Sequence, residues 1–219
     1  MSSNRTRGQR AGLTRQVVLE AALALADREG LKALSMRRLG AELGVEAMTL
    51  YHHVSSKDAL LDGVVEQIFT EVVPPLFHGA SWRADLRDYA HALRATLLAH
   101  PNVVPLVVSR PATTPQNLSF MESALASLQT AGFPLGRALD VLYAVSGFVV
   151  GHIATVPDGA GEHQRTATDP LHPLLDLDPE EFPLLAEAAR TERPGPDSRF
   201  DFALDAMLSG FDAARRPRA

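Results

Sequence analysis

The sequence predicts an all-α fold. Apolar residues recur every three or four positions along most of the chain, and no segment alternates convincingly at period two. Ser, Thr, Gly and Pro stand where helices should begin and end. The chain has 219 residues, of which 46% are hydrophobic and 21% charged. That suits one large domain, or a small one joined to a medium one, and excludes wholesale disorder.

The elements follow in order. Thr14 caps a first helix along which Leu13, Val17, Val18, Ala21, Leu25 and Ala26 keep helical spacing, until Gly30 stops it. Ser35 caps a short helix carrying Met36, Leu39 and Leu43, which ends at Gly44. A third, two turns long, runs from about Ala47 to His53. Ser56 opens a longer one with Leu60, Leu61, Val64, Val65, Ile68 and Phe69 on one side, closed by Pro74-Pro75. These four helices bury little area by themselves, so the fourth should lean on the body that follows.

That body is also helical. From Trp82 the stripe is Leu86, Tyr89, Leu93 and Leu97, stopping before Pro101. Short apolar turns and a loop around Pro111 to Pro115 lead to a stripe of Leu118, Met121, Leu125 and Leu128, ended by Gly132. Leu135 to Val156 is apolar nearly all round, the pattern of a buried helix. Residues 157–179 are rich in Gly, Pro, Asp and His and read as a long loop. Helices around 180–192 and 198–215 finish the chain, the last carrying Phe200, Leu204, Met207, Leu208 and Phe211.

Composition narrows the function. The chain has no cysteine, which excludes a disulfide framework, Cys-ligated zinc and a thiol nucleophile. No apolar leader follows the first ten residues, and the longest apolar stretch, Val141 to Val156, is short for a membrane span and contains His152. A cytoplasmic protein without a membrane partner is expected. The net charge of −5 is uneven. Residues 1–58 hold nine Lys/Arg and six Asp/Glu, and the remainder holds 12 and 20. A basic arm on an acidic body is either a solvated tail or the end that meets a polyanion.

The informative stretch is Ser35 to His53, read as helix, tight turn, helix. Leu39 and Leu43 face inward, Gly40 lets the second helix pass close, and Gly44 takes the positive φ of the turn. Val45 and Leu50 complete the small core. These constraints describe a helix-turn-helix, whose second helix lies in the DNA major groove. Thr49, Tyr51, His52 and His53 point outward, and Lys57 opens the next helix, where ammonium and backbone N–H groups share a phosphate. Small hairpins with a glycine turn are common. What sets this one apart is the exposed Tyr-His-His run followed by Ser-Ser-Lys.

At Leu50-Tyr51-His52-His53-Val54-Ser55-Ser56-Lys57 with Ala59-Leu60-Leu61, the sequence resembles the tetracycline-repressor (TetR) family of bacterial transcriptional regulators. Ser81-Trp82, Arg110-Pro111, Ala131-Gly132-Phe133, Ala144-Val145-Ser146 with Gly151, and Leu208-Ser-Gly-Phe211 extend the resemblance to the tetracycline repressor's regulatory domain. Behind the disordered basic arm (1–12) that the charge pattern marks, it implies a DNA-binding domain (13–58) and an effector-binding and dimerisation domain (59–219). It further implies a homodimeric repressor that binds double-stranded, palindromic operator DNA and is released by a small effector. Activators share this architecture.

Carried over residue by residue, Arg37 reaches a base or a phosphate, and Ala47, Met48 and Thr49 face base edges or thymine methyls. Tyr51, His53 and Lys57 hold phosphates, and His52 takes a position that is often aromatic in the family. Ala47 and Met48 replace a polar residue and a proline, and neither makes a bidentate base contact. Hydrogen-bonded readout then rests mostly on Arg37 and Thr49. The matching effector positions are Tyr89, Leu93, Leu106, Arg110, Phe120, Leu139, Leu142 and Ser146. Leu106 and Thr155 stand where the tetracycline repressor holds its magnesium chelate with a histidine and a glutamate, so tetracycline–magnesium is not the expected effector. An apolar ligand, bearing an acid or carbonyl for Arg110, fits the set.

His78, His91, His100 and His152 are scattered without metal-site spacing, so no metal and no cofactor are expected. Gly147 and Gly151 have close-packing spacing, for a contact within the subunit or across a dimer. The resemblance places this helix and the last one in a four-helix dimer interface containing Leu204, Met207, Leu208 and Phe211. The rival reading is a helical-bundle carrier or enzyme, but no Ser-His-Asp arrangement, phosphate loop or paired-carboxylate motif supports it.

Overall fold

In the computed structural model, described for residues 12–72, 81–110, 115–154, 176–191 and 194–215, helix α1 spans Arg15–Glu29. Its cap is the expected one: Thr14 Oγ1 accepts from Val17 N at 3.2 Å, and Gly30 ends the helix. Val18, Leu19, Ala22, Leu23, Leu25 and Ala26 are buried, a broader stripe than the sequence spacing marks. A 3-10 turn at Leu31–Ala33 leads to α2, Met36–Leu43, capped by Ser35 Oγ accepting from Arg38 N at 3.2 Å.

Gly44 takes φ 66°, the left-handed turn expected of it. A Cβ on Gly40 would lie 2.8 Å from the Val45 carbonyl oxygen, so only glycine lets the next segment cross this closely. That segment, α3, is shorter than expected. Regular helix covers Ala47–Leu50, and residues 51–53 continue as a tighter turn, with His52 N donating to Thr49 O and His53 N to Leu50 O. Helix α4, Lys57–Glu71, is capped by Ser56 and buries Leu60, Val64, Val65 and Ile68. The expected Pro74-Pro75 stop and His78 lie outside the described residues.

Helix α5 spans Trp82–Ala99, a 3-10 turn covers Pro101–Val103, and α6 spans Val104–Ser109. Helix α7, Pro115–Thr130, and α8, Leu135–Ala154, follow. As expected, α4 packs on α1 and also on α5, α6 and α7. Two readings of the stripes need correction. On α7 the buried positions are Ala124 and Leu128, while Leu118 is half exposed. Helix α8 is buried on one face only: Ala138, Val141, Leu142, Val145, Val149 and Ile153 are inside, whereas Gly136, Asp140, Tyr143, Gly147, Gly151 and Ala154 form an outward stripe.

These elements belong to one compact unit, ending at Ile153. The second unit, from Ala154, contains α9, Pro183–Arg190, and α10, Pro196–Arg215. Phe200, Leu204 and Leu208 are buried on α10. No strand occurs among the described residues. Thr155, the start of the basic arm and most of the expected 157–179 loop lie outside them. By length and composition α8 could cross a membrane, although its inward face is core of the first unit.

Candidate nucleic-acid interface and effector site

Two arginines adjacent on α2 divide by partner. Arg38 Nη2 donates to Glu29 Oε1 at 2.5 Å, and Nη1 lies 3.7 Å from Glu42 Oε2. Arg28 joins the same cluster through Glu42 at 2.9 Å. The Arg38 side chain holds the Glu29 carboxyl below its ordinary range. Arg37 is exposed and, among the described residues, has no ion pair or side-chain hydrogen bond.

The expected contact residues follow in sequence across a single short segment. Met48 is 70% exposed and Tyr51 43%; His52 and Lys57 are exposed; Ala47, Thr49 and His53 are half-buried. None of these side chains is committed to another described residue. Leu50 and Val54, buried between them, fix the segment to the module. The segment thus presents hydroxyl, phenol, imidazole and ammonium groups that have no hydrogen-bond partner among the described residues.

The effector positions divide as well. Tyr89 on α5 meets Phe120 on α7 with ring centroids 4.8 Å apart, and its hydroxyl lies 2.9 Å from Ser146 Oγ on α8. Burial pushes the Tyr89 phenol above its ordinary range. Leu93, Leu106 and Leu142 are buried, and Leu139 is half-buried. Trp82 and Phe133 stack edge to face at 5.0 Å.

Arg110 is engaged by carboxylates of α4. Its Nη2 donates to Asp58 Oδ1 at 2.8 Å, and its Nη1 to Asp62 Oδ1 at 2.5 Å and the Asp58 carbonyl at 3.2 Å. The guanidinium is drawn to two carboxylates on the first turns of α4, which the expectation of a pocket cation left out of account. Its pKa is raised by those same partners.

Sequence reasoning also missed the other end of α4. His100 Nδ1 lies 2.8 Å from Asp27 Oδ2 on α1, and Nε2 lies 2.9 Å from Glu71 Oε2 on α4. Asn102 Nδ2 donates to the carbonyls of Ala26 and Asp27 at 3.2 and 2.9 Å, tying the last turn of α1 to this segment. The segment 100–110 therefore grips α4 near both ends. Neither contact is visible in spacing, because the partners are 29 to 73 residues apart.

Gly147 and Gly151 do not serve close packing within the subunit: a Cβ on either would meet no atom within 4 Å. Leu204 and Leu208 are already buried in a single copy, so they are core residues before any partner arrives, while Met207 and Phe211 are half-buried. No group of three His, Asp or Glu placed to hold a metal ion occurs among the described residues.

The fold and the contact segment define a helix-turn-helix DNA-binding module joined to a helical regulatory region. Residues 18–64 match the family described as bacterial regulatory proteins, tetR family, and residues 75–215 match the tetracyclin repressor-like C-terminal domain. The chain belongs to the tetR family. A transcriptional regulator of Saccharopolyspora erythraea is 32% identical over 92% of this chain and 85% of its own length. The class E tetracycline repressor of Escherichia coli is 32% identical over 93% and 92%. The TetR family protein ActR of Streptomyces coelicolor, solved in complex with actinorhodin, superposes with TM-score 0.82 at 29% identity, covering 95% of this chain and all of that one. The protein is a transcriptional repressor with DNA-binding and ligand-binding domains, and not an enzyme.

Proposed function

We propose that the protein represses transcription as a homodimer bound to a palindromic operator, and that a small apolar effector releases it. The observation that carries the DNA reading is the difference between Arg38, spent on Glu29 and Glu42, and the free Arg37, Thr49, Tyr51, His52, His53 and Lys57. Arg37 and Thr49 supply the hydrogen-bonded base readout, Ala47 and Met48 apolar contacts, and Tyr51, His53 and Lys57 the phosphate contacts. His52, exposed beside Tyr51, adds an imidazole to the same segment. Functionally the chain divides into an arm (1–12), a reading head (13–58) and a regulatory body (59–219).

Tyr89, Leu93, Leu106, Phe120, Leu139, Leu142 and Ser146 line the effector site. ActR, a structural relative, binds actinorhodin, which supports an aromatic ligand here. Leu106 offers no ligating atom, so a magnesium-borne drug is disfavoured. The outward stripe of α8 around Gly147 and Gly151 forms the dimer contact, with Met207 and Phe211 of α10 contributing. Tyr143, 62% exposed on that stripe in one copy, would be covered by a second. Acting on DNA, the protein works in the cytoplasm.

Selection of duplexes from a random pool by the purified full-length protein, at about physiological salt, tests this reading. A palindromic consensus is the expected result. No enrichment from a folded dimer, before and after stripping of bound ligand, would overturn it in favour of a carrier.

A further inference from the structure

The Tyr89–Ser146 pair has a proton order that the distances determine. Ser146 Oγ lies 2.9 Å from the Leu142 carbonyl oxygen, one turn back on α8, and 2.9 Å from the Tyr89 hydroxyl. A carbonyl only accepts, so the single Ser146 proton goes to Leu142, the back-bond that serine favours in a helix. Ser146 Oγ then accepts from Tyr89, and the phenol proton is spent as well. What remains toward a ligand is acceptor capacity: lone pairs on the tyrosine and serine oxygens, with no proton to give.

The surroundings fix the rest of the ligand. The Phe120 ring stands 4.8 Å from that of Tyr89, and Leu93 and Leu142 are buried beside the pair in sequence and on the same two helices. Arg110, the cation expected to greet an acid, is held by Asp58 and Asp62 instead. An anionic group set against the pair would meet lone pairs with no proton between them, at the cost of its hydration. Tyr89 is 4% exposed, whereas Ser146 is half-buried.

We propose that the Tyr89–Ser146 pair presents hydrogen-bond acceptors only, so that the effector is an aromatic molecule that sets a hydroxyl or N–H donor against it. This rests on the effector site assigned under Proposed function, and it reverses the expectation of an acid or carbonyl. Three probes of one shape separate the cases: 1-naphthol donates, 1-acetonaphthone accepts and 1-naphthoate is anionic.

The test is calorimetric titration of each probe into the full-length protein and its Ser146→Ala and Ser146→Thr variants. The wild type should bind 1-naphthol about fivefold or more tightly than the ketone, the size of one hydrogen bond made or forgone, and the carboxylate most weakly. Ser146→Ala frees the Tyr89 proton, so the ketone should gain and the preference should collapse to about onefold or invert. Ser146→Thr keeps the hydroxyl and should keep the preference. A wild type that favours the ketone or the carboxylate overturns the proposal, as does a ratio unchanged by Ser146→Ala; in both cases the effector site itself stands. If none of the probes binds the folded protein, the effector site and the proposal fall together.

Discussion

Arg37 and Arg38 share a helix and a chemistry, yet the carboxylates around them give them different work. Arg38 sits among Glu29, Glu42 and Arg28, whereas Arg37 has no ion pair or side-chain hydrogen bond among the described residues. Arg37→Ala is expected to cost roughly 1–3 kcal/mol on the preferred operator and to relax one base position. Equal loss on every sequence would make Arg37 a phosphate contact. Lys57→Ala should weaken all duplexes alike and flatten the dependence of log K on log salt by about one. Both are read by fluorescence anisotropy at several salt concentrations. Tyr89 gives a separate check. Burial raises its folded pKa, so the phenolate signal missing from Tyr89→Phe should appear only above the ordinary tyrosine range. The sign follows: the neutral phenol's contribution to stability is complete below the unfolded value and fades as pH rises through the folded one. At this scale the caps were legible in the sequence. Thr14, Ser35 and Ser56 act on backbone three residues away, and Gly44 acts on its own φ. Arg110 was not, because its partners Asp58 and Asp62 come close only once α4 and α6 have folded together.

Among elements, α2 passes the start of α3 at backbone distance. At Gly40 a Cβ would meet backbone, the Val45 carbonyl at 2.8 Å and the Ala47 nitrogen at 3.2 Å, and neither can rotate away. Gly40→Ala should therefore destabilise the module by about 1–3 kcal/mol, the range of overpacked cores, with a shift in denaturation midpoint and a matching loss of DNA binding. Helix α4 is a different case. Its two grips differ in exposure: Asp58 and Asp62 are open to water around Arg110, whereas His100 is sheltered between Asp27 and Glu71. Arg110→Ala should change unfolding free energy by less than about 1 kcal/mol, because exposed pairs are screened. The all-α class and the order of helices were readable from period and caps. The buried side of α7 was not, since Ala124 is inside and Leu118 half outside although leucine is the more apolar residue. Hydrophobicity ranks residues, but the neighbouring helices decide which face is covered.

At the scale of the whole molecule, the apolar sequence of α8 has two separate causes. One face is core of the first unit, and the other, through Gly136, Tyr143, Gly147 and Gly151, is open. Periodicity cannot distinguish apolar residues that their own chain covers from those it leaves open, which is why the helix read as buried all round. Gly147→Glu tests the proposed dimer. The new side chain meets no atom of its own subunit, and replacing a helical glycine favours the helix. A helical, folded monomer by sedimentation is expected, with operator affinity reduced, and a dimer of unchanged stability would remove this stripe from the interface. The central claim, a dimer reading a palindrome, is tested most directly by anisotropy titration of the selected duplex against the same duplex with one half-site scrambled. The intact palindrome should bind at least about a hundredfold more tightly, since each mismatched base pair costs about 1–3 kcal/mol and several are lost together. Equal affinity for the two duplexes would contradict it.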